Sequence, residues 1–449
     1  MLVSGVERWE GYSGFLLEMI RAAGAEIGDE VLVERPDGSS FRGLLMSKTE
    51  LSAENILVVK LGNGYNVGVA VDPSCRILKV AAGRRPAFIR PPPPPSRSGL
   101  PRVRIVGTGG TIASRVDYRT GAVRPAISSE DLVSLVPELG EVAAVEAEVL
   151  FSMYSEDFTT REWGVIAERV KQLITDGVEG VVLTHGTDTM HYTAAALSFV
   201  LQRPPVPIVL VGSQRSSDRP SSDAASNLIG AVWAAARAPF AEVVIAMHSW
   251  HSDDSISFHR GTRVVKMHTS SRDAFRSVNA SPLAVLEEEG GLKVLEDGFN
   301  PRGGGGFLYA PGFSDRAALI KFYPGMGPEI LDYLEGEGFR GVVLEGTGLG
   351  HVARRWIPVI RRLTSGGFFV GMASQCRFGR VNMRVYNTGR DLLNAGVVEL
   401  DDMLAETALV KLMWALHRAR DLEEVRRLML TPVAGEMGGR ILPRSVDAG

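Results

Sequence analysis

Apolar positions change rhythm along this chain. Between residues 24 and 80 they alternate in short runs. EIGDEVLVERPDGSSFRGLLMSKTE sets a Pro-Asp-Gly turn, Pro36 to Gly38, between two such runs, and ILVVKLGNGYNVGVAV adds a second turn signal at Gly62 to Gly64. Period-two alternation punctuated by turn residues predicts short antiparallel strands, hence a small β-barrel led by a helix over residues 7–23. After residue 102 the apolar runs become continuous: VRIVGT (103–108), VEAEVLF (145–151), VEGVVLT (178–184), PIVLVGS (207–213) and EVVIAMH (242–248). Helical stretches separate them, one opened by a capping-box pair, Thr159 and Glu162. Strands apolar on both faces and alternating with helices predict a parallel sheet covered on both sides. Periodicity is lost from 287 to 316 around Gly303–Gly306. It resumes with ALIKFY (318–323), RGVVLEG (340–346), FFVGMAS (368–374) and a helix-rich end from about 402 to 430.

The sharpest boundary is RRPAFIRPPPPPSRSGLP, residues 84–101. Pro91 to Pro95 favour polyproline II, which joins neither a helix nor a central strand, so the segment reads as a tether; a proline-rich recognition ligand is the alternative. The expected organisation is a helix and small β-barrel over 1–83, the linker 84–101, an α/β domain over 102–300, a connector at 301–316, a second α/β domain over 317–435 and a tail, 436–449. A chain of 449 residues suits about three domains.

Charge and composition narrow the function. Lys and Arg number 49 against 52 Asp and Glu, which argues against nucleic acid held over the whole surface. Cys75 and Cys376 are the two cysteines, too few for a disulfide scaffold or a cysteine-rich zinc site. Fifty glycines exceed the usual share of about 7% and suit many tight strand-to-helix turns. Glu7, Glu10 and Glu18 stand where a signal peptide is apolar, and Arg237, Pro239 and Glu242 interrupt the stretch Leu228–Met247. A soluble, cytoplasmic protein with no membrane segment is expected.

Chemistry collects at two strand ends, where an open parallel sheet binds ligands. GTGGTIAS (107–114) fails the dinucleotide fingerprint at Ile112, and no lysine follows to make a P-loop. THGTDT (184–189) places hydroxyls, His185 and Asp188 in the same topological position. Asp188 could cap a helix and His185 could be a satisfied core histidine. Two hydroxyl-rich loops on neighbouring strands nevertheless suit nucleophilic amide chemistry, provided a base or cation activates a threonine. His248 and His251, with Asp253 and Asp254, suggest a metal less strongly than a polar loop. Cys376 lacks a nucleophile motif, and the Arg-rich stretch 353–363 reads first as a solvated face.

Together, TGGTIAS and THGTDT resemble the paired signature of the type I/II asparaginase family, over residues 103 to about 430. DYRTGAV (117–123), YSED (154–157) and LGNGYNVGV (61–69), with the upstream β domain, are similar to one branch of that family, the D subunits of archaeal glutamyl-tRNA(Gln) amidotransferases. The resemblance implies an asparaginase-like pair of parallel-sheet α/β domains preceded by a small β-barrel. It implies a glutaminase that passes ammonia to an E subunit converting Glu-tRNA(Gln) to Gln-tRNA(Gln). By the same resemblance Thr111 is the nucleophile, Tyr118 its proton-relay partner, and Thr187, Asp188 and Lys266 a second triad. Gly110, Ser155, Glu156 and Gly186 are then substrate contacts, Ser155 at the α-carboxylate and Asp188 also at the α-ammonium. An ammonium beside a threonine hydroxyl favours its deprotonation, and loop N–H groups suit a tetrahedral oxyanion. The branch implies no metal or cofactor in this chain. ATP and Mg belong to the E subunit, glutamine is the substrate, Glu-tRNA(Gln) is met mainly through the partner, and a homodimer forms the core. The sequence departs from asparaginases at Ser155-Glu156, where Ser-Gln is common, and GRVNMRVYN (379–387) offers no counterpart of their C-terminal-domain glutamate. A free-standing asparaginase and a Rossmann-like nucleotide- or RNA-binding module are the rival readings.

Overall fold

In a computed structural model, the structure describes residues 9, 11–46, 48, 53–61, 66–82, 99–110, 114–116, 123–125, 136, 138–215, 222–287 and 291–438. The linker prolines, the Gly62–Gly64 turn, Thr111 and Tyr118 lie outside these residues.

Alternation in the N-terminal region produces an antiparallel sheet in the order Asn66–Ala70, Ile56–Leu61, Ser40–Leu45, Glu30–Glu34, Arg76–Ala81. Every second residue turns inward: Val31, Val33, Leu45, Leu57, Val59 and Ile77 meet Leu16 and Ile20 of the helix Gly14–Ala22. The Pro36–Gly38 turn forms as its sequence demands, with Arg35 N–H donating to Ser39 O at 2.9 Å and Gly38 at φ +84°. This is the small antiparallel β domain expected ahead of the α/β domains, and among the described residues its two end strands each pair on one side.

The following sheet has eight strands: Leu292–Val294, Ala284–Glu287, Ser255–Arg260, Val243–His248, Ile208–Val211, Gly180–Thr184, Arg102–Gly109 and Ala144–Met153. The last five of these are parallel. The first three are antiparallel additions, because after His248 the chain doubles back through a tight loop without a helical crossover. Helices cover both faces. Val181 and Leu183 face the helices Thr160–Thr175 and Met190–Val200, while Val182 faces Ala224–Arg237. The capping box at Thr159 is formed, with Thr159 N–H donating to the Glu162 carboxylate at 2.9 Å. The first strand in sequence lies between the second and the third, so the chain changes building direction there and leaves a crevice at the carboxyl ends.

A second sheet, fully parallel, runs Ala317–Lys321, Gly341–Gly346, Phe369–Ser374, Val398–Glu399. Its helix Ala405–Arg418 packs against Met190–Val200 of the first domain, so both domains share one apolar core. The buried pair Arg263–Asp402, 2.9 Å apart, ties the domains together. Residues 291–316 are better ordered than their sequence implies. Leu308–Tyr309 pairs with Leu201–Gln202, and Arg302 donates to the carbonyls of Glu179, Ala234, Ala235 and Ala238. Backbone pairing and one half-buried guanidinium give order without any side-chain period. Among the described residues no helix is long and apolar enough to cross a membrane.

Candidate active site

Three loops meet at the crevice, and glycines let them touch. The first strand ends in Gly109 and Gly110, at φ +113° and +89°. A Cβ on Gly110 would lie 2.4 Å from the His185 carbonyl carbon and 2.5 Å from Gly186 N; one on Gly186 would lie 2.7 Å from Ser155 Cβ. Hydroxyls stitch the same loops together. Thr108 Oγ1 donates to Thr184 O at 2.7 Å and Thr189 Oγ1 to Ser155 O at 2.6 Å. Gly110, Gly186 and Ser155 are thus brought together, and Thr111 directly follows Gly110 in the chain.

Lys266 closes the site from another element, a short ribbon in which Val264–Lys266 pairs with Phe275–Ser277. Its side chain is 9% exposed; Nζ donates to Thr187 Oγ1 at 2.8 Å and to Asp188 Oδ1 at 2.7 Å. Thr187 is buried, whereas the Asp188 side chain is 70% exposed. The triad named from sequence is therefore one hydrogen-bonded cluster. Because the Thr187 oxygen accepts from Lys266, its own proton is free to be donated elsewhere. Ser155 is buried, 3.4 Å from the carboxylate of exposed Glu156. Of the nine expected site residues, Thr111 and Tyr118 lie outside the described residues.

His185 resolves to its structural reading. Its Nδ1 lies 2.7 Å from Gly186 O and its Nε2 2.9 Å from Thr193 Oγ1, which also accepts from Trp163 Nε1 at 3.0 Å. Burial pushes its pKa down to about 4, so it is neutral at pH 7 and serves to shape the loop. His248 is likewise satisfied, by Asn227 Oδ1 at 2.6 Å and Asp253 Oδ1 at 3.0 Å. No group of three or more His, Cys, Asp or Glu able to hold a metal occurs among the described residues. The Arg-rich segment is occupied locally: Arg362 pairs with Asp332 and Glu335, and Arg355 donates to Met326 O.

Sequence reasoning passed over His191 and Glu406. His191 lies two residues past THGTDT, in the first turn of the helix Met190–Val200, so its nearness in sequence was the one signal for it. Glu406, on the helix of the second domain, carried no signal.

Comparison with known proteins agrees with this geometry. Residues 25–80 match the GatD N-terminal domain, 102–297 the asparaginase N-terminal family, and 316–429 the glutaminase/asparaginase C-terminal domain. The chain is 51% identical over 433 residues to the D subunit of glutamyl-tRNA(Gln) amidotransferase from Metallosphaera sedula, covering 96% of this chain and 97% of that protein. It is 48% identical over 442 residues to the corresponding D subunit from Thermofilum pendens, with 96% and 97% covered. Among solved structures it resembles the thermostable L-asparaginase from Thermococcus kodakarensis, with TM-score 0.67 and 33% identity over 76% of this chain and 100% of that one. L-asparaginase I from Vibrio cholerae gives TM-score 0.67 at 29% identity, over 76% and 99%.

Proposed function

The chain belongs to the asparaginase family, in the branch of glutamyl-tRNA(Gln) amidotransferase D subunits that carries a GatD N-terminal domain, and from that premise we propose how its residues release ammonia from glutamine. It is the glutaminase subunit of that amidotransferase. The Thr111 hydroxyl adds to the side-chain amide carbon while its proton passes to Tyr118. Backbone N–H groups around Gly110 and Gly186 hold the tetrahedral oxyanion, and collapse expels ammonia, leaving an acyl-Thr111 ester. Thr187 supplies the second proton path. Its oxygen is polarised by Lys266, which Asp188 holds, so its hydrogen goes to the departing nitrogen and its oxygen then takes a proton from the attacking water, while Tyr118 returns its proton to Thr111 as the ester breaks. Ser155 and Asp188 hold the glutamine head, and Glu156 alters the charge beside it. The observation that carries this reading is Lys266 bonded at once to Thr187 and Asp188, against the loop that leads into Thr111.

Ammonia must then reach a glutamyl group activated with ATP. That step belongs to the E subunit, with its ATP and Mg, since neither a P-loop nor a dinucleotide fingerprint follows the strands of this chain. The test of the nucleophile is mass spectrometry after reaction with an electrophilic glutamine analogue. The adduct is expected on Thr111; an adduct on Thr187 or Cys376 instead would overturn the assignment. The likeness to L-asparaginases keeps a second reading in play, an enzyme that works alone. A subunit serving a tRNA enzyme should release ammonia about tenfold faster with partner and Glu-tRNA(Gln) than alone, roughly 1.4 kcal/mol in the barrier. Equal rates, with asparagine preferred, would favour the lone asparaginase.

A further inference from the structure

Behind the triad, two buried polar atoms have no hydrogen-bond partner among the described residues: His191 Nδ1 and Glu406 Oε2. His191 is 8% exposed and sits in the first turn of the helix Met190–Val200. Glu406 is 9% exposed and sits in the first turn of Ala405–Arg418, the helix of the second domain that packs against it. The imidazole stands three residues past Asp188, on the helix that meets the second domain, and the charges of Glu406, Arg377, Lys266 and Asp188 all act on it. Arg377 donates to Glu406 Oε1 at 2.6 Å and leaves Oε2 open. Buried Glu345, at the carboxyl end of its strand, joins the group. Arg377 carries the cluster outward, with 41% of its side chain exposed, next to Phe378 at 65%.

The chemistry of the two open atoms is specific. Burial keeps His191 neutral, with its pKa lowered to about 4. With its proton on Nε2, Nδ1 is an acceptor, and the Glu406 carboxylate is an acceptor too. Two buried acceptors without a donor call for a small, donor-rich guest. Ammonia brings three N–H donors and one lone pair, whereas water brings two donors and two lone pairs. We propose that the His191–Glu406 seam is an ammonia-binding station, the first polar stop for ammonia leaving the threonine site toward the partner subunit. The proposal rests on the glutaminase reading above and adds to it the place where the product is held.

The test uses the complete complex with its partner subunit and Glu-tRNA(Gln), counting isotopically labelled glutamine hydrolysed against Gln-tRNA(Gln) formed. In the wild type the two should be close to equal. His191→Phe keeps the ring shape and removes the acceptor. It should raise glutamine hydrolysed per Gln-tRNA(Gln) by about threefold or more, on the scale of one hydrogen bond, with the excess appearing as free ammonia. His191→Asn, which restores a polar atom near the Nδ1 position, should recover the coupling. Glu406→Gln replaces an acceptor by a donor in the same volume and should leak like His191→Phe. Coupling unchanged in both His191→Phe and Glu406→Gln overturns the station and leaves a structural water there. Loss of glutamine hydrolysis itself also overturns it, making His191 a positioning residue for the triad. A wild-type complex that releases no ammonia from glutamine would instead overturn the glutaminase reading, and the station with it.

Discussion

The two parallel sheets finish a central strand in similar words, LTHGTD (183–188) in the first and LEGTGL (344–349) in the second, yet their threonines are in different chemical situations. Thr187 is buried, and its oxygen accepts a hydrogen bond from Lys266 at 2.8 Å. Thr347 is exposed, and its Oγ1 donates to His351 O, 3.2 Å away, inside its own tight loop. A hydroxyl at a strand's carboxyl end is therefore not a site by itself. What makes one is a cation delivered from elsewhere in the chain: Lys266 lies 79 residues beyond Thr187 and is held by Asp188. Among the described residues no side-chain cation is hydrogen-bonded to Thr347.

The largest effects should follow from breaking that contrast in the first domain. Thr111→Val should lower glutamine hydrolysis by about a thousandfold or more, since residues acting as a unit fail together. Lys266→Met keeps the aliphatic stem, removes the donor to Thr187, and should cost about a hundred- to a thousandfold. Thr347→Val in the second sheet should leave hydrolysis at its original rate. Each variant, reconstituted with the partner subunit, should still amidate Glu-tRNA(Gln) from free ammonium. Simultaneous loss of glutamine- and ammonium-driven activity would mean that these residues hold the complex together rather than do chemistry.

Geometry should weigh nearly as much as the functional groups. Gly110→Ala would drive a Cβ to 2.4 Å from the His185 backbone, so the loop carrying Thr111 must move. A displacement near 1 Å costs on the order of a hundredfold in rate. Steady-state kinetics on a folded Gly110→Ala protein decides this, and an unchanged rate would show that the contact between the two loops is not needed for catalysis.

The strands and the polar loop THGTDT were readable from sequence for definite reasons, whereas Lys266 was implied only by the family resemblance. VVLT and IVLV are apolar without interruption because both faces of the strand are covered, and THGTDT keeps its chemistry in six consecutive residues. What escaped was information held between segments. The antiparallel strands after His248 depend on a loop too short for a crossover, and the order of residues 291–316 depends on backbone pairing and on Arg302. Glu406 looks like any solvated glutamate on an amphipathic helix until that helix is laid against Met190–Val200. The role of His185 was open in THGTDT; two local hydrogen bonds closed it.

Acid should open the first domain before the second. His185 is fully buried with its pKa lowered to about 4, whereas His351 in the second sheet is lowered by a lesser burial. An unfolded histidine takes up its proton near pH 6.5, while folded His185 resists until about pH 4. Its contribution is therefore complete above about pH 6.5 and lost as pH falls through 4, on the order of 3 kcal/mol in all. Hydrogen exchange at pH 5 should show lower protection in Met190–Val200 than in Ile357–Ser365, relative to pH 7. His185→Gln should weaken that dependence and leave the part owed to buried His191 on the same helix. Equal loss of protection in both helices would remove His185 as the cause.

The smallest effect belongs to Gly348→Ala, and it separates backbone strain from chemistry. Gly348 follows Thr347 as Asp188 follows Thr187, and its φ of +51° is left-handed backbone. A Cβ there meets nothing within 4 Å, in contrast to Gly110. Only the left-handed penalty remains, about 1 to 2 kcal/mol. The Gly348 carbonyl, which accepts from Ser374 Oγ at 2.6 Å, survives the substitution. Thermal unfolding should therefore shift down by a few degrees at most while the glutaminase rate of the complex stays level. A large fall in that rate, with stability hardly changed, would mean that the second sheet's loop works in a catalytic site after all, and the contrast between the two threonine loops would no longer stand.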